Sequence, residues 1–344
     1  MLDDRRVTYG APGAVAAVEI AGQRLIIASG TADIEGTPLA PDARFRIASV
    51  TKPIVAALVL DAVAQGRLSL DDKVADYLPG IVREDPPITI RQVLDHTSGV
   101  FDEGNEGDVT ADIDRIRDPE LRTAARDIAK RYDHGEKVIA TDEMIVALAE
   151  THDRYNLPGL GYHYSNPNYQ IAAMVLERAT GKTLAELVET RISEPLGLER
   201  TTVTPPDLAS PELRGYQADA GGKLRDVTDD LIAFGNGGNG GIKSTAGELL
   251  TVMHAIVAGD FLSGDLKAEM KRSTIGTYAL GIGPYPFTCG TFYGHEGSVN
   301  GTRSVAVIRE DGYAGAVIAL DANTASEPGL PVVAERMLCS NIPE

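Results

Sequence analysis

Three short stretches carry side chains whose types and spacing could do acyl-transfer chemistry. The first is Ser49-Val50-Thr51-Lys52, at the start of an apolar run. A serine hydroxyl is a weak nucleophile and needs a base beside it. Residues three apart share a helix face, so Lys52 can reach the Ser49 hydroxyl. A lysine under an apolar roof loses solvation of its charged form, and its pKa falls toward the range of a working base. The helix N-terminus adds a positive dipole where an oxyanion would form. Ser49 also suits a plain helix N-cap. The second stretch is Tyr162-His163-Tyr164-Ser165-Asn166-Pro167-Asn168. Tyr164 could move protons between the serine and a leaving group if a cation lowers its pKa. Asn166 could bind a substrate amide, and the same residues suit a proline turn that opens a helix. The third is Tyr293-Gly294-His295-Glu296-Gly297-Ser298. Glycines around a polar residue on a strand permit close approach of a ligand backbone. The plain alternative is a bulged strand with His295 on the surface.

Other candidates carry less. The chain has 6 histidines, and no two have metal-ligand spacing. His96, in Leu94-Asp95-His96-Thr97-Ser98-Gly99, reads as a residue that fixes a loop. The run Gly235-Asn236-Gly237-Gly238-Asn239-Gly240-Gly241 is no phosphate loop, because no Gly-Lys-Ser/Thr follows in register. It reads as a flexible or close-approach loop. The 2 cysteines, Cys289 and Cys339, fit two buried thiols when taken alone. No metal or organic cofactor is implied.

The elements that must position these residues come from both chain ends. Gly13–Ile20 and Arg24–Ser29 are rich in Val, Ile and Ala and flank Ala21-Gly22-Gln23, a hairpin turn. Thr302–Arg309 and Tyr313–Leu320 flank Glu310-Asp311-Gly312, where Asp-Gly is a strong turn signal. A last helix fits Pro331–Cys339. Between these ends the chain is mostly helical. Ser49–Gln65 ends at Gly66, and Asn168–Ala179 ends near Gly181. Thr183 with Glu186, and Thr245 with Glu248, have the spacing of capping boxes. The polar segment Asp102–Asp133 reads as a solvated helix rather than a lid over a cleft. A sheet built from both ends around a helical insert is α+β logic, not repeating βαβ.

Composition bounds the function. The 344 residues carry 32 Lys+Arg against 50 Asp+Glu, a formal net charge of −18, with 43% hydrophobic residues. That length suits one large domain or two intimately packed ones. An acidic chain repels phosphate backbones and anionic membrane surfaces. No stretch reaches the roughly 18 to 20 apolar residues of a membrane span. The start, MLDDRRVTYG, shows no signal-peptide core.

In this order, Ser49-x-x-Lys52, Tyr164-x-Asn166 and His295-x-Gly297 resemble the three signatures of the penicillin-recognising serine hydrolases. The branch is that of the class C β-lactamases and the soluble secreted DD-peptidases. Phe45-Arg46-Ile47-Ala48, Val93 to Gly99, Glu194-Pro195-Leu196-Gly197-Leu198 and Gly240 to Thr245 look like phrases of the same family. The resemblance runs from about Gly10 to Cys339. It implies a β-lactamase/transpeptidase-like fold: an antiparallel sheet lobe flanked by helices from residues 1–70 and 240–344, a mostly helical lobe over 71–239, and an active site between them. It implies Ser49 as the acylated nucleophile, with Lys52 and Tyr164 sharing proton transfer. Asn166 would hold the acyl-side amide, and His295 would line the opposite wall. The backbone N–H groups of Ser49 and Ser298 would form the oxyanion hole. A Cys289–Cys339 disulfide follows from the same resemblance and implies an oxidising compartment. The chain is then expected to be secreted or periplasmic, processed or truncated ahead of Met1, or cytoplasmic if it has no leader.

The implied substrates are D-configured peptides, including peptidoglycan stem peptides, with β-lactams as covalent ligands. The primary expectation is a D-Ala-D-Ala carboxypeptidase or transpeptidase. One departure favours an alternative. Soluble carboxypeptidases of this type carry an arginine ahead of the third motif that binds the terminal carboxylate. Here that stretch is Gly281-Ile282-Gly283-Pro284-Tyr285-Pro286, without a cation. Glu296 stands where those enzymes have a small hydroxyl residue, and its charge would repel a carboxylate. Arg303 is a candidate to compensate. A D-stereospecific amidase, esterase or peptide cyclase is therefore the alternative, followed by a class C-type β-lactamase. A non-catalytic sensor domain is disfavoured by the intact Ser49, Lys52 and Tyr164.

Overall fold

A computed structural model describes residues 2–102, 112–134, 136, 140–203, 212–219, 221–228, 237–276, 278–322 and 329–340. Strands along the chain are β1 (Gly13–Ile20), β2 (Gln23–Gly30), β3 (Phe45–Arg46), β4 (Thr202–Val203), β5 (Tyr216–Ala218), β6 (Leu224–Asp226), β7 (Ile242–Ser244), β8 (Gly283–Phe287), β9 (Gly290–Val299), β10 (Thr302–Arg309) and β11 (Ala314–Leu320). The main sheet has six strands in the order β2-β1-β11-β10-β9-β8. Every neighbouring pair in it is antiparallel.

Both terminal hairpins form where the turn residues place them. Ala21 and Gly22 sit at φ +53° and +75°, the left-handed pair that a two-residue hairpin turn needs. Gln23 therefore pairs with Ile20 instead of lying in the turn. The edge strand β8 carries Pro284 and Pro286, which an edge tolerates because one side of its backbone needs no partner.

Helices cover both sheet faces. On one face the Ala246–Val257 helix and the apolar Thr51–Ala64 helix join β1, β10 and β11 in the larger core, through Leu249, Val252, Met253, Ile54 and Val55 among others. On the other, the Leu330–Cys339 helix and Leu2 pack on Val305, Val307, Ile318 and Leu320. The fold is α+β. Strands β3, β7 and β4 form a separate small sheet. Cys289, in the β8–β9 turn, is disulfide-bonded to Cys339 at the end of the last helix, Cα atoms 5.3 Å apart.

Two readings of the middle region need correction. Thr183 and Glu186 form a full capping box. Thr245 accepts from the Glu248 N–H, but the Glu248 carboxylate does not return to it. That carboxylate instead accepts from the backbone N–H groups of Glu199 and Arg200 and from the Thr201 hydroxyl. Tertiary partners outcompete the local box. In the polar segment, helix occupies Pro119–Asp133 and not Asp102, which is buried. Residues 103–111 of that segment lie outside the described residues.

Candidate active site

Ser49 lies in a single 3-10 turn, Ala48–Val50, just ahead of the Thr51–Ala64 helix. Ala48 is held at φ +50°, a conformation that non-glycine residues adopt only under constraint from their surroundings. The constraint is visible on both sides of Ile47. Its N–H donates to the Ile242 carbonyl at 3.1 Å. Its own carbonyl accepts from Ser304 Oγ on β10 at 3.1 Å. Gly297 completes the clamp. A Cβ there would lie 2.4 Å from both the Ile47 carbonyl oxygen and Ser304 Oγ, so only glycine lets β9 approach this turn.

Lys52, the second residue of the Thr51–Ala64 helix, is fully buried. Its Nζ donates to Ser49 Oγ at 2.9 Å, to Asn166 Oδ1 at 2.9 Å and to the Asn239 carbonyl at 3.0 Å. These three contacts use all the donors of an ammonium. Burial pulls the Lys52 pKa down to about 7, while the Asp102 carboxylate pulls it back up. At neutral pH a substantial fraction is an uncharged amine beside the Ser49 hydroxyl, able to take its proton.

The Asn239 carbonyl arrives on the glycine-rich loop. A Cβ on Gly238 would lie 2.1 Å from the Tyr169 carbonyl, so the loop is of the close-approach kind. Residues 235 and 236 of that run lie outside the described residues.

Tyr164 lines the same cleft as Ser49, and Lys52 Nζ stands 5.0 Å from its ring centre. Burial is the dominant influence and raises the phenol above its ordinary pKa. The group is therefore protonated at neutral pH, a proton donor rather than a standing base. Asn166 opens the Asn166–Thr180 helix, with Pro167 behind it and Gly181 closing it at φ +71°. Its Oδ1 is on Lys52, and its Nδ2 lies 3.3 and 3.4 Å from the two Asp102 carboxylate oxygens.

His295 is buried on β9 and is not a surface residue. One ring nitrogen contacts the Glu296 carbonyl and the other lies 3.1 Å from the Tyr278 hydroxyl. Burial first, and Lys52 second, bring its pKa down to about 3, so the imidazole is neutral. His96 is also buried, at φ +59°, and its Nδ1 accepts from the Ser165 N–H at 3.2 Å. It fixes the loop against the Tyr164 segment, with its ring 4.3 Å from that of Tyr164 and 4.9 Å from that of Tyr278. Tyr278 is a site residue that sequence reasoning missed, because it stands in an irregular stretch without a motif.

Glu296 and Ser298 alternate with His295 and Gly297 along β9, and Arg303 pairs with Ser298 across to β10. An open cleft of about 430 Å³ has Ser49, Tyr164, His295, Glu296, Ser298 and Arg303 on its walls. Partial enclosure pushes the Glu296 carboxyl up, and Arg303 opposes that shift. Arg303 thus reaches the cleft that the Gly281–Pro286 stretch leaves without a cation. A second hollow of about 420 Å³, beside Arg83 and Glu150, has no serine–lysine pair on its walls. Among the described residues no group of three or more His, Cys, Asp or Glu could hold a metal ion. No described helix is long and apolar enough to cross a membrane.

A family model described as Beta-lactamase matches residues 1–336. Esterase EstB of Burkholderia gladioli is 31% identical over 309 residues, covering 79% of this chain and 72% of EstB. Penicillin-binding protein 4* of Bacillus subtilis is 26% identical over 240 residues, covering 67% of this chain but only 48% of that longer protein. Among solved structures, a D-stereospecific amidohydrolase from Streptomyces sp. is 29% identical with a TM-score of 0.78, covering 97% of this chain and 96% of the other.

Proposed function

The chain belongs to the beta-lactamase family of serine hydrolases, and on that premise we propose that it cleaves amides or esters of D-configured acyl donors through an acyl-enzyme on Ser49. The observation that carries this reading is the buried Lys52 amine 2.9 Å from Ser49 Oγ. In the proposed reaction, neutral Lys52 takes the Ser49 proton as Oγ attacks the carbonyl carbon. The oxyanion is held by the backbone N–H groups of Ser49 and Ser298. Protonated Tyr164 gives its proton to the departing amine or alcohol and is reprotonated from Lys52. Water or another nucleophile then releases the acyl group and regenerates Ser49.

The leaving group in this proposal carries no carboxylate. Glu296 lines the cleft, and a second anion beside it is disfavoured. The names of the esterase and D-stereospecific amidohydrolase relatives support that choice. Arg303 supports a second reading, a carboxypeptidase acting on D-Ala-D-Ala ends and stem peptides, because it offers the same cleft a cation. The Cys289–Cys339 bond supports work in an oxidising compartment.

The test is a substrate panel of D- and L-alanine amide, a D-alanine ester and a diacyl-Lys-D-Ala-D-Ala peptide, with Ser49→Ala as control. The expected result is turnover of the D-amide and ester at least tenfold above the peptide, lost in the control. A peptide preferred over both would replace this reading with the carboxypeptidase.

A further inference from the structure

Behind the nucleophile runs a chain of polar contacts that ends on a buried acid. Ser49 Oγ is bonded to Lys52 Nζ, Lys52 Nζ to Asn166 Oδ1, and Asn166 Nδ2 faces both oxygens of Asp102. Asp102 is 2% exposed, and its backbone N–H lies 3.3 Å from the Tyr155 hydroxyl. We infer that Asp102 is a positioning residue of this serine hydrolase, which fixes the Asn166 amide and through it the place of the Lys52 amine.

The argument is one of donors and acceptors. An asparagine amide has one accepting and one donating end, and rotation by half a turn exchanges them. With Asp102 ionised, only one orientation works, carbonyl on the lysine and NH2 on the carboxylate. The other sets NH2 against the amine's hydrogens and oxygen against oxygen. A buried carboxylate makes that difference large, since an unmatched polar contact is poorly screened here. Asn166 thus becomes a fixed acceptor that holds Lys52 on Ser49.

The same carboxylate acts on Lys52 through space. Among the described residues, the groups facing Lys52 are Ser49 from the turn ahead of its helix, Tyr164, Asn166 and Tyr169 from the second motif and its helix, the Asn239 carbonyl from the glycine loop, and His96 and His295 from the segments packed beside them. Both histidines are neutral. Among the described residues, Asp102 is the carboxylate that favours the charged lysine, opposing its burial.

The inference rests on Ser49–Lys52 chemistry as proposed above, and its test separates the two. Asp102→Asn keeps shape and removes charge; Asp102→Ser is a smaller second variant that keeps a polar group. Two readouts are used: the pH profile of kcat/KM for a neutral D-alanine ester, and the titration of the Lys52 side chain by NMR with labelled lysine, assigned with Lys52→Met. The expected result in either variant is a fall of kcat/KM of about tenfold and a downward move of both the acid limb and the Lys52 titration by about 1 unit. A folded variant whose Lys52 titration stays put or rises overturns the inference. So does failure of both variants to fold, which would make Asp102 a stability element. Loss of Ser49 labelling by a fluorophosphonate in the unaltered protein would instead overturn the proposed function, leaving the NMR titration to judge Asp102.

Discussion

Gly297 passes Ile47 so closely that a methyl group in place of its hydrogen would lie 2.4 Å from the Ile47 carbonyl oxygen. That carbonyl belongs to the residue before Ala48 and two before Ser49. The strand that walls the cleft and the turn that presents Ser49 are therefore held at backbone distance, with the Ser304 hydroxyl bonded across the same gap. Gly297→Ala must push them apart. Overpacking of this kind costs about 1 to 3 kcal/mol, and a displacement near 1 Å at reacting groups costs about 100-fold in rate. The expected outcome is a fall of two decades in Ser49 acylation, measured with a fluorophosphonate, with only a few degrees lost in Tm.

On the proposed mechanism Lys52 sets the acid limb of activity. Its pKa is drawn down to about 7 by burial, and only the uncharged amine can accept the Ser49 proton. The kcat/KM for a neutral ester should therefore be lost as pH falls through about 7 and level off above it. His295, brought down to about 3, adds no limb between pH 5 and 9. A pH profile with one limb near 7 is expected, and an acid limb at pH 5 or below would contradict the role of Lys52. Lys52→Met should leave less than a hundredth of the activity.

The Cys289–Cys339 bond should matter to stability more than to catalysis. It closes a segment of 50 residues, for which loop entropy alone gives at most about 4 kcal/mol. Cys289 lies just before β9 begins at Gly290, while Ser298 is near its other end. Replacing both cysteines by serine should lower Tm by several degrees while kcat/KM stays within about twofold. Calorimetry beside steady-state kinetics checks both halves.

What the sequence disclosed, and what it hid, follows from how local each feature is. The hairpins rest on Ala21-Gly22 and Asp311-Gly312, whose turn chemistry is local. Ser49 and Lys52 are three residues apart, across the join of a 3-10 turn and the helix after it, so their contact is local. Asp102 is different: its partner Asn166 is 64 residues away, and it begins a charged stretch that reads as solvent-facing. Tyr278 reaches His295 from a segment with no periodicity, so only the folded chain brings them together. Glu248 shows the same limit from the other side, because its spacing to Thr245 promised a local bond that partners near Thr201 take instead.

The sheet's strand order also governs time. Gly13 on β1 is bonded to Asp321, 308 residues later, and the Ile47 carbonyl waits for a hydroxyl 257 residues downstream. At roughly 5 to 20 residues per second of synthesis, the turn bearing Ser49 emerges roughly 13 to 50 s before the strand that clamps it. Through that interval the growing chain already holds Ser49, and soon Lys52, but not the wall against which they work. Such distant pairings also make the final closure slow relative to helix formation. A chain that stops short of β10 lacks the Ser304 hydroxyl that holds the Ile47 carbonyl, so the turn bearing Ser49 gains its full support only as the last strands dock.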